Sequence, residues 1–187
     1  MKLLKKILMI VAIASVLVSC NNIKSLKSKE EATAKQDKQN NVDGVYDGGE
    51  WLVHYDSQVL EIDNQKSARF IDKENKNNYV EVNCQKNKTT DSVMVELINE
   101  IVLDDGNNPS IEIQHMPLKT NKGEHDAFYA VNSNVENGKG EYRQILAFNY
   151  NDKVFSFLFK QDMVGDETLD MKISDAFSNI IDSLEIK

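Results

Sequence analysis

A chain of 187 residues with a formal net charge of −8 has room for one ordinary domain and not comfortably for two. From Glu50 onward it holds 14 basic and 25 acidic residues, a balance of −11, which argues against nucleic acid as a partner and against a direct grip on anionic lipid. Such an excess keeps a domain soluble, and it also attracts cations or a basic peptide.

The first twenty residues divide into three parts. Lys2, Lys5 and Lys6 make a positive start, Ile7 to Val18 an apolar run, and Ser19 a small residue at a plausible cut, which is the layout of a secretory signal peptide. The run is about a dozen residues, short of the roughly 20 that a spanning helix needs. An ordinary signal peptide has no use for a thiol at its end, yet Cys20 follows Leu17-Val18-Ser19. These four residues resemble the bacterial lipobox. The resemblance implies a signal peptide over 1–19, a diacylglyceryl group in thioether linkage on Cys20, and a mature protein that begins at that cysteine. Its first partner is then a lipid bilayer, held through the acylated Cys20 on the extracytoplasmic face of the cell membrane. Burying each CH₂ contributes about 0.8 kcal/mol and stable anchoring takes two chains, which that group supplies. The competing reading is a chance cysteine beside a conventional cleavage site.

Residues 20–49 read as a tether. The stretch from Ile23 to Gly49 is rich in Lys, Gln, Asn, Glu and Gly and has almost no periodic apolar residues, so it cannot bury enough surface to offset its ordering entropy. As a flexible coil it would span roughly 30 Å on average. The folded domain is expected over 50–187.

Within that domain, EWLVHY sets Trp51, Val53 and Tyr55 on one side of a short strand. QVLEID and SARFID follow as two strands separated by Asn-Gln-Lys, and NYVEVNCQ comes after the turn-rich Glu74 to Asn78. Asp91 is the expected N-cap of a helix in which Val93, Met94, Leu97, Ile98, Ile101 and Val102 form a buried stripe. Asp104-Asp105-Gly106-Asn107-Asn108 ends that helix. Four more strands are expected: SIEIQH, AFYAVNSNV, EYRQILAFNY and KVFSFLFK. Asn151-Asp152 joins the last two in a tight hairpin. A second helix runs from about Asp166 to Ser183, with acids at 166 and 167 favouring its N-terminal dipole.

In the last hairpin, Leu146, Phe148 and Tyr150 oppose Ile145 and Ala147, while Phe155, Phe157 and Phe159 oppose Val154 and Leu158. Strands apolar on both faces belong to a sheet covered on both faces. The fold class is therefore α+β, an antiparallel sheet with a helix or returning strands on each side. This order of elements, with the hairpin EYRQILAFNYNDKVFSFLFK and a closing helix AFSNIIDSLEI, resembles the PsbP/Mog1 fold. It is most similar to bacterial PsbP-related lipoproteins, whose domains tend to end in a helix and a short tail, here Ser183-Leu184-Glu185-Ile186. The resemblance covers about residues 50–187 and implies an α/β/α sandwich. The photosynthetic members help organise a manganese–calcium cluster by docking on other proteins, and no motif residue here matches that surface. The family's usual y-P-x-x-W opening is missing, with Trp51 alone in its place.

The residues offer little chemistry. His54, His115 and His125 each stand apart from any second ligand at a zinc spacing, and Glu124-His125-Asp126 reads as a solvated turn. No Gly-x-Ser-x-Gly and no phosphate-cradling loop occurs, and DDGNN lacks the alternating ligands of an EF-hand. Cys84 is the only thiol besides Cys20; the alternation around it makes it a small buried hydrophobe. No catalytic, metal or cofactor residues are therefore assigned. The expected function is a non-enzymatic binding or accessory module for a protein, peptide or small ligand, with Trp51, Tyr55, Tyr129 and Tyr142 as contacts if they are exposed. The alternatives are a cell-envelope hydrolase and a cation-binding accessory protein.

Overall fold

Alternating side chains build most of the molecule. The computed structural model describes residues 43–63, 68–103 and 111–187; the signal peptide, Cys20, most of the tether, the 64–66 turn and the 104–108 helix stop lie outside them. Seven strands form one sheet: β3 (Leu60–Asp63), β4 (Ala68–Asp72), β5 (Tyr79–Lys86), β6 (Gln114–Thr120), β7 (Gly123–Ser133), β8 (Lys139–Tyr150) and β9 (Lys153–Val164). Their order across the sheet is β3-β4-β5-β9-β8-β7-β6, and every neighbouring pair is antiparallel. A smaller sheet, β1 (Gly44–Asp47), β2 (Trp51–Tyr55) and β10 (Glu185–Ile186), has β2 in the middle.

The hairpin β8–β9 is the spine. It pairs from Tyr150↔Lys153 down to Lys139↔Val164, and Asn151 turns it with φ +56°, a conformation that Asn tolerates better than most residues. Both faces are buried. On one, Phe148, Phe155, Phe157 and Phe159 pack with Trp51 and Val53 of β2, Ile186 of β10, and Ile173, Ala176, Phe177 and Ile180 of helix α2 (Glu167–Asp182). On the other, Ile145, Ala147, Val154 and Leu158 meet Val93 and Met94 of helix α1 (Thr90–Ile98) and Ile101 of the 3₁₀ turn that follows it. The protein is an α+β sandwich whose large antiparallel sheet is covered on both sides.

Several expectations shift. The folded part begins before residue 50, because Gly44–Asp47 pairs with β2. Thr89, not Asp91, caps α1: its side chain accepts from the Ser92 N–H at 3.2 Å, and Ser92 Oγ accepts from the Thr89 N–H at 3.3 Å. Asp91 sits inside the first turn, where a carboxylate favours the helix dipole. The strand expected at SIEIQH lies later, at Gln114–Thr120. It holds Pro117, which a sheet accepts at an edge, and β6 is an edge strand. Glu124-His125-Asp126 is part of β7 and not a turn. The tail at Ser183–Ile186 contributes β10, whose outer side is closed by one amide: Asn121 Nδ2 donates to the Ile186 carbonyl and Asn121 Oδ1 accepts from its N–H, both at 2.9 Å.

Candidate functional site

A polar concavity lies where β4 and β9 end and α2 begins. It is a cleft of about 210 Å³ lined by Asp72, Glu74, Asn75, Asn78, Asp162, Val164, Leu169, Asp170 and Ile173. Local chemistry shapes it. Asp72 Oδ1 accepts from the Glu74 N–H at 2.9 Å and Asn75 Oδ1 from the Asn77 N–H at 3.1 Å, two Asx turns in succession. Asn78 then ties the turn to the sheet: its Nδ2 donates to Asp72 Oδ2 at 3.0 Å, and its Oδ1 accepts from the Asp162 N–H at 2.7 Å. On the opposite wall Asp170, one turn into α2, accepts from the Val164 and Gly165 N–H groups at 3.0 and 3.1 Å. Gln161 Nε2 donates to the Asp170 carbonyl at 2.9 Å, and Ser174 Oγ donates to Gln161 Oε1 at 2.9 Å.

The four carboxylates thus divide into two kinds. Asp72 and Asp170 are buried and spend both oxygens on the scaffold. Glu74 and Asp162 stand at the rim. Asp162 Oδ2 receives Asn77 Nδ2 at 3.0 Å, whereas the Glu74 side chain forms no bond with a described residue. No basic residue among the described residues lines the cleft. Its field is negative over an apolar patch of Val164, Leu169 and Ile173, suited to a positively charged group with an aliphatic stem.

A second hollow, open and about 280 Å³, lies along the β6–β7 hairpin at His115, Met116, Pro117, Glu124, His125 and Asp126. His115 Nδ1 is 3.2 Å from Asp126 Oδ2, and its ring lies 4.2 Å from that of Phe128. His125 points to the opposite face, where its tilted ring packs 4.8 Å from that of Phe148 and its Nε2 meets Thr120 Oγ1 at 2.8 Å; burial holds its imidazole below the usual range. Alternation along β7 therefore sets His125 on the face opposite to Glu124 and Asp126. Among the described residues no three His, Cys, Asp or Glu side chains gather to hold a metal ion.

Of the four aromatic residues proposed as contacts, one is buried and three are half-buried. Trp51 is 5 % exposed and belongs to the core, so packing, not recognition, accounts for it. Tyr55, Tyr129 and Tyr142 are half-buried. Tyr55 packs 5.3 Å from Phe70, Tyr129 donates its hydroxyl to Gln114 Oε1, and Tyr142 donates to Gln144 Oε1 at 2.9 Å. Burial, with the Tyr129 charge adding to it, pushes the Tyr142 phenol up to about 12. Cys84 is half-buried against the larger core, and burial raises its thiol pKa. Cys20 lies outside the described residues. On the α1 side of the sheet Glu141 accepts from Arg143 Nε at 2.6 Å and Lys160 Nζ at 3.0 Å. Burial pushes its carboxyl up, and the two donors outweigh that and hold it below the usual range.

The cleft residues were missed in the sequence because turn-forming Asp and Asn account for 72–78 without a site. The only signal was the density of acids at 72, 74, 162, 166, 167 and 170.

No protein-family model matches the chain, and no curated protein matches it. Among solved structures it is similar to a protein of Bacteroides thetaiotaomicron VPI-5482, with 14 % identity and a TM-score of 0.44 over 74 % of this chain. The match spans 45 % of that protein, less than half its length. It is also similar to cyanobacterial PsbP (CyanoP) from Synechocystis sp. PCC 6803, with 9 % identity and a TM-score of 0.47 over 77 % of this chain and 92 % of that one. A third is LpqN, involved in cell envelope biogenesis of Mycobacterium tuberculosis, with 14 % identity and a TM-score of 0.41 over 77 % and 82 % of the two chains. The likeness is one of fold. A PsbP protein thus stands among the neighbours of an element order read from the sequence as PsbP-like.

Proposed function

We propose that this protein is a membrane-anchored extracytoplasmic lipoprotein whose folded domain is a non-enzymatic binding or accessory module. The observation that carries the reading is Leu17-Val18-Ser19-Cys20 at the end of a lysine-led apolar run. Acylation of Cys20 fastens the chain to the bilayer, residues 21–42 act as a leash, and the domain from Gly44 onward meets its ligand beyond the membrane surface. Among ligands, the acidic cleft favours a positively charged one, such as a basic peptide or a small amine. The anchor is tested with Cys20→Ala: the variant leaves the membrane fraction and loses metabolic fatty-acid labelling, and retention of both refutes it. The binding role is tested by titrating a lysine-containing peptide while following the Glu74 and Asp162 backbone resonances. Shifts confined to the cleft and reduced by Glu74→Gln support it, and unchanged spectra refute the cleft as the site.

A further inference from the structure

The connection between β7 and β8 ends in Glu136-Asn137-Gly138-Lys139, where Glu136 and Lys139 exchange two backbone hydrogen bonds of 2.8 and 2.9 Å. Asn137 and Gly138 have φ of +51° and +81°, the left-handed pair that a two-residue primed turn demands. No other Asn-Gly dipeptide occurs in the chain. Asn137 is exposed. Neither its side-chain amide nor the Gly138 N–H bonds to any described residue. With no Cβ on Gly138, the Gly138 nitrogen approaches the Asn137 side chain unhindered.

We propose that Asn137 is a site of spontaneous covalent modification, by intramolecular deamidation through Gly138. Hydroxide takes the Gly138 amide proton, the nitrogen attacks Asn137 Cγ, and the tetrahedral intermediate expels ammonia, which takes its third proton from water. The product is a five-membered succinimide. Water then adds at Cγ to give Asp at 137, or at the main-chain carbonyl to give isoaspartate, in which the backbone runs through the old side chain. The net change is one water gained and one ammonia lost, with no oxidant or reductant. The attack requires Asn137 to rotate out of its turn conformation, and opening the tip releases only the two Glu136–Lys139 bonds. Hairpin tips of this kind are among the least costly parts of a fold to open.

Three of the other described asparagines are held by hydrogen bonds. Asn132 donates to the Ile101 carbonyl at 2.8 Å, Asn78 and Asn121 are tied on both sides of their amides, and each is followed by a residue with a side chain. The modified tip has a neighbour of consequence. A Cβ built on Gly138 would lie 3.4 Å from Gly165 Cα, and Gly165 follows Val164 of the acidic cleft. Deamidation therefore brings a new negative charge to the tip beside that rim. In the isoaspartyl form an extra backbone carbon lengthens the two-residue turn.

The test is to incubate the full-length protein at mildly alkaline pH and physiological temperature, and to map its peptides over time. The expected result is that the peptide holding Asn137 is the first to gain the mass separating an acid from its amide. Part of it becomes a substrate for an isoaspartyl methyltransferase. Asn137→Gly, which keeps a turn-compatible residue, loses that signal, and Gly138→Ala slows it several-fold. Conversion of any other asparagine first overturns the proposal. So does a signal at 137 that appears only in urea, because the folded turn then protects the site.

Discussion

The two-sided hairpin makes a demand that a sheet with one wet face does not. Phe157 and Leu158 are successive residues of β9, so they point to opposite faces, yet they are 0 % and 6 % exposed. Phe157 pairs across to Val82 and Leu146 and stacks 6.5 Å from Phe159. Truncating such a ring costs about 3–5 kcal/mol. Leu158 pairs across to Ile145 on one side and Glu81 on the other. With one polar neighbour able to relax, Leu158→Ala falls at the lower end of the core range, about 2–3 kcal/mol. Against a total stability of about 5–15 kcal/mol, either change is a large fraction. At about 3–4 °C per kcal/mol for a domain of this size, Phe157→Ala lowers Tm by about 9–20 °C. Urea unfolding followed by tryptophan fluorescence measures both, since Trp51 is the only tryptophan and is buried. A Leu158→Ala variant within about 0.5 kcal/mol of the parent, the range of ordinary surface changes, would refute the doubly covered sheet.

Asn78→Ala removes the donor to buried Asp72 and the acceptor for the Asp162 N–H. Each orphaned group costs about 1–3 kcal/mol, and the Asp162 N–H is only part-buried, so the loss lies in the lower part of about 2–6 kcal/mol by urea unfolding; a loss under about 0.5 kcal/mol would show that water replaces the amide without penalty. Stability also responds to acid through His125. Burial depresses its folded pKa below the ordinary value of 6.5, so the unfolded chain takes the proton first. The contribution is full above 6.5 and declines as the pH falls from there through the folded value. His125→Phe, which keeps a ring against Phe148, flattens that slope in thermal melts. An unchanged slope in the variant assigns it to other groups.

The parts of the fold that were legible in the sequence are those whose local signal and burial agree. The alternation of β8 and β9 announced both cores because each face carries its own apolar set. Asn151-Asp152 located the turn, and helix α2 followed from its stripe and from acids that include its cap, Asp166, whose side chain accepts from the Thr168 and Leu169 N–H groups. The misses have equally local causes. The sequence of β1 reads as tether because its four residues hold only Val45 and Tyr46 as large apolar side chains, and Val45 is 57 % exposed. It is a strand because β2 supplies the ladder. Pro117 disguised β6, whose position at the sheet edge is a tertiary fact. Thr89 and Asp91 are both good caps by residue type, and the reciprocal Ser92 at the third helical position decides between them. The cleft was hidden for a different reason. Its decisive bond, from the Asp162 N–H to Asn78 Oδ1, joins residues 84 apart in the chain, and no pattern of period two or 3.6 reports a partner at that distance.

That separation also explains how so many carboxylates share one cleft. Two like charges in a confined space repel, and a buried carboxylate costs free energy unless hydrogen bonds satisfy it. Asp72 and Asp170 receive two donors each, from the Glu74 N–H and Asn78 Nδ2 and from the Val164 and Gly165 N–H groups. Their charge is absorbed by backbone that they in turn hold in place. Glu74 and Asp162 remain at the rim in contact with water, where a charge is inexpensive and where it is also screened. The Debye length is about 8 Å at physiological ionic strength. A cationic ligand drawn to this rim would therefore weaken as salt rises, while the scaffold beneath, built on hydrogen bonds rather than on free charge, would not. Mutations separate the two pairs in the same way: Glu74 can be neutralised without loss of fold, but Asp170 cannot lose its oxygens without releasing the join between β9 and α2.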